Sequence, residues 1–180
     1  MSTRTFEPGT VLIAHPELQD PFFGQSVILV LARGEDGGVI GANISGAPLK
    51  GPLFEGGPMP APALLMLHAA KDSVESSRPL SATGYAVTAL YPTAEGGIEP
   101  AGLLAKKPAN AMVFLGYAGW GAGQLEAESQ MGMWMPATMS LDDLIQAPSA
   151  ERWTRAATAA GLIEPAAAAP AKPDSKPPTP

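Results

Sequence analysis

The sequence predicts an α+β fold, and three observations carry that expectation. Continuous β-branched and aliphatic runs of strand length stand at residues 10–14, 26–32 and 112–115. An Asp36-Gly37-Gly38 turn signal separates the second run from another apolar stretch at 39–44, which predicts an antiparallel hairpin over 26–44. Segments with helical character and identifiable start signals stand at 124–130, at 140–146 and from residue 149 onward.

In chain order, the runs at 10–14 and 26–32 are apolar at positions of both parities, the pattern of strands covered on two faces. Between them HPELQDPFFGQ, with two prolines and Asp20, reads as a loop. Residues 45–62 are dense in proline and glycine and read as a longer loop, with Phe54 pinning it to the core. An apolar strand follows at 63–68, a further strand at 85–90, a turn at 93–97 and a short helix at 100–107. Met112, Val113, Phe114 and Leu115 make a buried-strand run, and glycines at 116, 119, 121 and 123 then lead into the helix at 124–130.

Ser140 is placed to cap LDDLIQ, with Asp142 and Asp143 in the first turn against the positive end of the helix dipole. Ser149 reads as the cap of a longer helix that carries Trp153, Ala156, Ala157 and Ala160 on one face and pairs Glu151 with Arg155. Gly161 stops it. Six of the sixteen residues at 165–180 are proline, and none of the sixteen is an apolar anchor larger than alanine. The expected organisation is therefore one domain over 1–163 and a disordered tail over 164–180.

Composition excludes several classes of chemistry. There is no cysteine, hence no disulfide, thiol nucleophile, iron–sulfur ligand or Cys-based zinc site. A net charge of −6 with one adjacent basic pair, Lys106 and Lys107, opposes contact with phosphate backbones, so no direct nucleic-acid partner is expected unless folding gathers cations such as Arg33, Lys50, Lys71 and Arg78. The N-terminus has no apolar stretch of signal-peptide length, and the longest clean apolar run, residues 27–32, is far short of a membrane span. A cytoplasmic protein with no membrane partner is the expectation.

Three segments together, VLIAHPELQDPFFGQSVILV, GGP followed by LLMLH, and GYAGWGAGQLEAE with a tryptophan after it, resemble the YqgE/AlgH family of bacterial proteins. The closing APSAERWTRAATAAG resembles that family's C-terminal helix, so the likeness spans most of residues 10–161. The resemblance implies a mixed, largely antiparallel, bifurcated or barrel-like sheet surrounded by helices. It also implies a protein described as a transcriptional regulator through a link to alginate control, with no assigned reaction. Two positions depart from the family pattern. His15 stands where a neutral residue is common, and the stretch between Asn43 and Gly56 is short.

The residues supply the types for several chemistries but not their patterns. A hydrolase would recruit Ser26, His15 or His68, and Asp20, yet Ser26 lacks the G-x-S-x-G elbow that exposes a nucleophile, and Asp20 can equally brace its own loop. Glu126 and Glu128 sit two apart on a helix and point to different sides, which argues against one shared metal. The glycines at 119, 121 and 123 lack the G-K-[ST] and G-x-G-x-x-G patterns of phosphate loops. Trp120 and Tyr117 read either as core filling or, given their glycine-flanked and exposed-looking setting, as anchors for a peptide or flat ligand.

No catalytic residue, metal or cofactor is expected. The expected role is a non-enzymatic regulatory or binding protein whose partner is a protein or small molecule, with an enzyme using the Gly-rich cleft as the alternative. Two loops that leave buried strands and spend aromatic residues near polar ones give the expected site: Asp20, Phe22 and Phe23 from one, Tyr117, Trp120, Gln124 and Glu128 from the other.

Overall fold

In the computed structural model, which describes residues 4–166, eleven strands form two sheets and four helices cover them. The first sheet contains β1 (Val11–Ala14), β2 (Val27–Arg33), β3 (Val39–Asn43), β10 (Ala118–Trp120) and β11 (Trp134–Pro136), in the order β10-β3-β2-β1-β11 and antiparallel throughout. The second contains β4 (Leu53–Glu55), β5 (Leu64–Ala69), β6 (Arg78–Leu80), β7 (Tyr85–Pro92) and β9 (Met112–Leu115), in the order β4-β9-β5-β7-β6, with β8 (Ile98–Glu99) pairing the end of β7. Only β4 and β9 run parallel in it. Both sheets are open, so the mixed, largely antiparallel α+β arrangement stands while a closed barrel is not formed among the described residues.

The two-sided apolar runs explain the layering. Along β1, Val11 and Ile13 face one cluster while Leu12 and Ala14 face another, and along β2 Val27, Leu29 and Leu31 alternate in the same way with Ile28 and Val30. The first cluster lies between the sheets. It joins those residues to Leu67, Val87, Met112 and Phe114 of the second sheet, and α3 (Leu141–Gln146) and α4 (Arg152–Ala159) close it. The second cluster, on the far face of the first sheet, is covered by α2 (Gln124–Gln130) and by Phe6 and Phe23. On the outer face of the second sheet, α1 (Ala101–Ala105) contributes Leu103 to a small third cluster with Met66 and Leu90.

Local signals behave as their chemistry predicts in most elements. The β2–β3 hairpin forms, with Gly34 N–H donating to Gly38 C=O across the turn. Ser140 Oγ accepts the Asp143 N–H at the start of α3. After α4, Gly161 takes φ 73° and donates to Thr158 C=O while Leu162 donates to Ala157 C=O, a Schellman closure that returns Leu162 to the core. Ser149 does not cap α4. It opens a 3-10 turn at Ser149–Glu151, its side chain makes no capping bond, and the helix proper begins at Arg152.

The largest departure lies after β9. The glycine-rich stretch is no simple turn into α2, because Gly116, at φ 72°, redirects the chain out of the second sheet and residues 118–120 then form β10 on the edge of the first. The crossing is sealed by a second glycine pair. Gly56 accepts from Asn43 N–H and donates to Leu115 C=O, while Met59 and Tyr117 exchange both backbone bonds. Both Gly56 and Gly57 are buried, and Gly57 lies so close to Gly116, Tyr117 and Ala118 that only hydrogen fits on its Cα. GGP and GYAGW are thus two halves of one seam between sheets. The tail expected over 164–180 lies, from residue 167, outside the described residues.

Candidate functional site

The structure brings the two expected loops together. Phe23 sits 6.0 Å from Trp120 and 5.8 Å from Trp134, the two tryptophans meet edge to face at 5.8 Å, and Phe22 stands edge-on to Phe23 at 4.9 Å. Asp20 organises its own loop, with Oδ1 accepting from Phe22 N–H and Phe23 N–H at 2.8 Å each. Trp120 is only 6% exposed, so of its two readings the indole takes the core-filling one. The physical reason is β-strand alternation: Ala118 and Trp120 turn inward against α2 and β11, while Gly119 turns out. Gly41 on β3 makes the seat, since a Cβ there would lie 3.3 Å from the Trp120 ring and 2.8 Å from Ile28.

Glu128 is the polar centre of this cluster. Its Oε2 accepts from Trp120 Nε1 at 3.0 Å and from Trp134 Nε1 at 2.9 Å, and its Oε1 accepts from Gln124 Nε2 at 2.9 Å. Gln124 Oε1 in turn accepts the Gly121 N–H. That bond occupies a donor which a phosphate loop would present to its ligand, and Gly119 belongs to a strand, so the glycines do not form an anion cradle. Glu128→Ala is expected to cost about 2 to 3 kcal/mol, because two buried indole N–H groups lose their acceptor. Glu128→Gln, which keeps one oxygen for both indoles, should recover most of it in denaturant unfolding; a Glu128→Ala loss under about 0.5 kcal/mol would contradict this role.

Glu126 faces the opposite way from Glu128. Its Oε1 accepts from Arg33 Nη1 at 2.8 Å, a pair that ties α2 to the end of β2, while Oε2 is buried without a partner among the described residues. Burial pushes the carboxyl pKa up, but the hydrogen bond and charge of Arg33, with the residue's own backbone N–H, bring it below its ordinary value. The hydrolase constellation does not assemble. Ser26 is buried and donates to Phe23 C=O, and His15 Nδ1 accepts Glu17 N–H. His68 is enclosed, bonded to Ala69 C=O and to Thr88 Oγ1, which Ser77 Oγ contacts in turn. Among the described residues no three acidic or histidine side chains gather in metal-binding proximity.

Tyr117 is separated from the buried aromatic cluster. With Gly34, Asp36, Gly38, Val39, Ile40, Met59, Gly119 and Trp120 it lines an open cleft of about 310 Å³ along β3 and β10. Its ring lies over Gly119, where a Cβ would come within 3.3 Å of Cε2. Tyr117 spends both backbone groups on Met59, and residues two apart in a strand point those groups to the same side. Gly119 therefore aims its N–H and C=O away from β3, at an open sheet edge beside exposed Ile40 and Met59. Asp36 is the only carboxylate in the lining, and its Oδ1 holds Gly38 N–H. Ile40 and Met59 were not legible as site residues, since only the pairing of β10 with β3 brings them beside Tyr117.

Comparison with known proteins places these features in context. The sequence profile described as AlgH-like matches residues 11–163. The chain is similar to a UPF0301 protein of Thioalkalivibrio sulfidiphilus, 33% identical over 169 residues that cover 84% of this chain and 88% of the relative. A UPF0301 protein of Serratia proteamaculans is 32% identical over 174 residues, covering 84% and 90%. The solution structure of the AlgH protein from Pseudomonas aeruginosa superposes with a TM-score of 0.66 at 25% identity, over 89% of this chain and 92% of that one. The crystal structure of a Corynebacterium diphtheriae protein gives 0.67 at 21%, over 88% and 89%, a likeness of fold.

Proposed function

The chain belongs to the AlgH-like family, and we propose that it acts as a non-enzymatic binding protein that takes an extended segment of a partner protein along the open edge of β10. The observation that carries this reading is the outward-facing backbone of Gly119 beside an apolar cleft lined by Tyr117, Ile40 and Met59. An added strand gains main-chain bonds at such an edge and places alternate side chains in the adjacent cleft. The buried Phe23, Trp120, Trp134 and Glu128 cluster supports the opposite face of β10, and such packing lowers the ordering cost of binding. An enzyme reading finds less support, since the one carboxylate of the cleft is engaged with backbone and no histidine lines it.

On this reading the protein works in the cytoplasm, and any influence on transcription runs through protein contact rather than DNA readout, as a net charge of −6 favours. Among the described residues no helix is long and apolar enough to cross a membrane. The test is selection of a displayed random-peptide library on the immobilised full chain. Enriched peptides should show apolar residues at every second position. Ile40→Lys, at an exposed edge position, should weaken their binding at least about tenfold without changing thermal stability. Failure to enrich, or binding indifferent to Ile40→Lys, would count against the proposal.

A further inference from the structure

A second cleft, of about 370 Å³, opens at the end of the other sheet, where β5 ends at Ala69, β7 begins at Tyr85 and α3 begins beside Asp142. Its lining gathers Lys71, Lys106 and Lys107 with Asn110, Asp72 and Asp142. Four lysines stand among the described residues, and three of them meet here in a chain of net charge −6. Elsewhere Arg33 and Arg155 are paired with glutamates and Arg152 is buried, while Arg4, Lys50 and Arg78 are exposed and stand outside this cleft. The lysines are thus concentrated at this cleft. Their grouping also differs from the gathering of Arg33, Lys50, Lys71 and Arg78 that a sequence could suggest.

The cleft is built, not merely decorated. Lys106 Nζ donates to Asp72 C=O at 3.2 Å and Ser73 C=O at 3.0 Å, which fixes its ammonium at the rim. The wall that follows holds two non-glycine residues in left-handed conformation, Lys107 at φ 45° and Asn110 at φ 56°, a cost that surrounding structure must offset. Lys71 and Lys107 make no hydrogen bond or ion pair among the described residues, although Asp72 and Asp142 line the same cleft. Tyr85 donates to Asp142 Oδ1 at 2.8 Å. Burial, and then the Asp142 carboxylate, push that phenol up to about 12, so it stays a donor across the physiological range.

We infer that this cleft binds a small molecule carrying a phosphate or carboxylate group together with hydroxyl or amino donors. Lys71, Lys106 and Lys107 supply charge-assisted bonds to the oxyanion, and Asn110 offers an amide. Asp72 and the second oxygen of Asp142 accept from the donors on the rest of the molecule, which adds specificity to the anion contact. The strand edge of β10 plays no part, so this inference stands or falls separately from the peptide reading.

The experiment is an amide chemical-shift titration of the full chain with inorganic phosphate and, separately, with citrate, each at constant ionic strength made up with chloride. Saturable shifts are expected at Lys71, Asp72, Lys107 and Asn110. The double variant Lys71→Gln/Lys107→Gln should lose at least about tenfold in affinity, and Lys50→Gln, at the remaining described lysine, should lose none. Tighter phosphate binding assigns a phosphorylated ligand, and tighter citrate binding a carboxylate. No saturation with either anion, or equal affinity in the double variant, would overturn the assignment.

Discussion

Gly57→Ala is expected to prevent folding or to remove at least about 4 kcal/mol, a large part of the roughly 5–15 kcal/mol that holds a typical domain together. A Cβ on Gly57 would stand 1.9 Å from the Tyr117 carbonyl carbon, 2.0 Å from its oxygen and 2.2 Å from Ala118 nitrogen. All three are backbone atoms, so no rotamer change relieves the clash. The segment cannot withdraw either, since Gly56 is bonded to Asn43 in one sheet and to Leu115 in the other, and Met59 is bonded twice to Tyr117. Moving it apart would open the seam on which β10 depends. Gly102→Ala is the control: it lies in α1 with nothing within 4 Å of the new methyl, and should gain about 0.5 kcal/mol from reduced unfolded-state entropy. Denaturant unfolding of both variants decides; a Gly57→Ala loss below about 1 kcal/mol would show that the seam is not tight.

Arg152→Met is expected to cost about 3 to 5 kcal/mol. Arg152 is 6% exposed and has no carboxylate partner among the described residues. Its guanidinium instead donates to Leu144, Ala147, Ile145 and Ile44 carbonyls and to Met112 Sδ. Three of these carbonyls lie at the C-terminal end of α3, where free C=O groups carry the negative end of the helix dipole. One buried side chain thereby binds α3, the end of β3 and β9. Burial draws its pKa below the ordinary value, with the nearby Tyr85 acting in the opposite sense. Methionine fills comparable volume but leaves the carbonyls without donors. Arg152→Lys keeps the charge and loses the fork, so it should fall between the parent and Arg152→Met in an unfolding series; a lysine as damaging as methionine would indicate that charge contributes nothing.

What the sequence made legible follows the range over which each signal acts. The β2–β3 hairpin, the Ser140 cap, the bounds of α2 and the Gly161 stop depend on neighbours a few residues apart, and they can be read from local chemistry. The strands β4, β6, β8, β10 and β11 are two or three residues long, too short for a periodicity, and exist because a partner strand offers its edge. Core filling and a ligand anchor both stayed open for Trp120 for that reason: its flanking glycines describe a turn until β3 is known to run beside it. Arg152 stands among surface-like residues at the start of an amphipathic helix, and only the tertiary meeting of α3, β3 and β9 shows that it is enclosed. Of the expected site residues, Phe22, Phe23, Trp120, Gln124 and Glu128 do share one connected cluster, held by ring contacts and the Glu128 carboxylate. Asp20 serves its own loop, and Tyr117 belongs with Ile40 and Met59 in the cleft.

The most direct measurement on the binding reading is hydrogen exchange at the Gly119 amide, in the free chain and in complex with a selected peptide. A strand-edge amide with no acceptor exchanges rapidly, and pairing with an added strand slows it in proportion to the stability of the complex. Fast exchange is expected at Gly119 in the free protein, with marked protection on peptide binding and unchanged exchange at Ala118 and Trp120, which already pair with β3. Binding that leaves the Gly119 amide fast, or a Gly119 amide already protected in the free chain, would contradict strand addition at this edge.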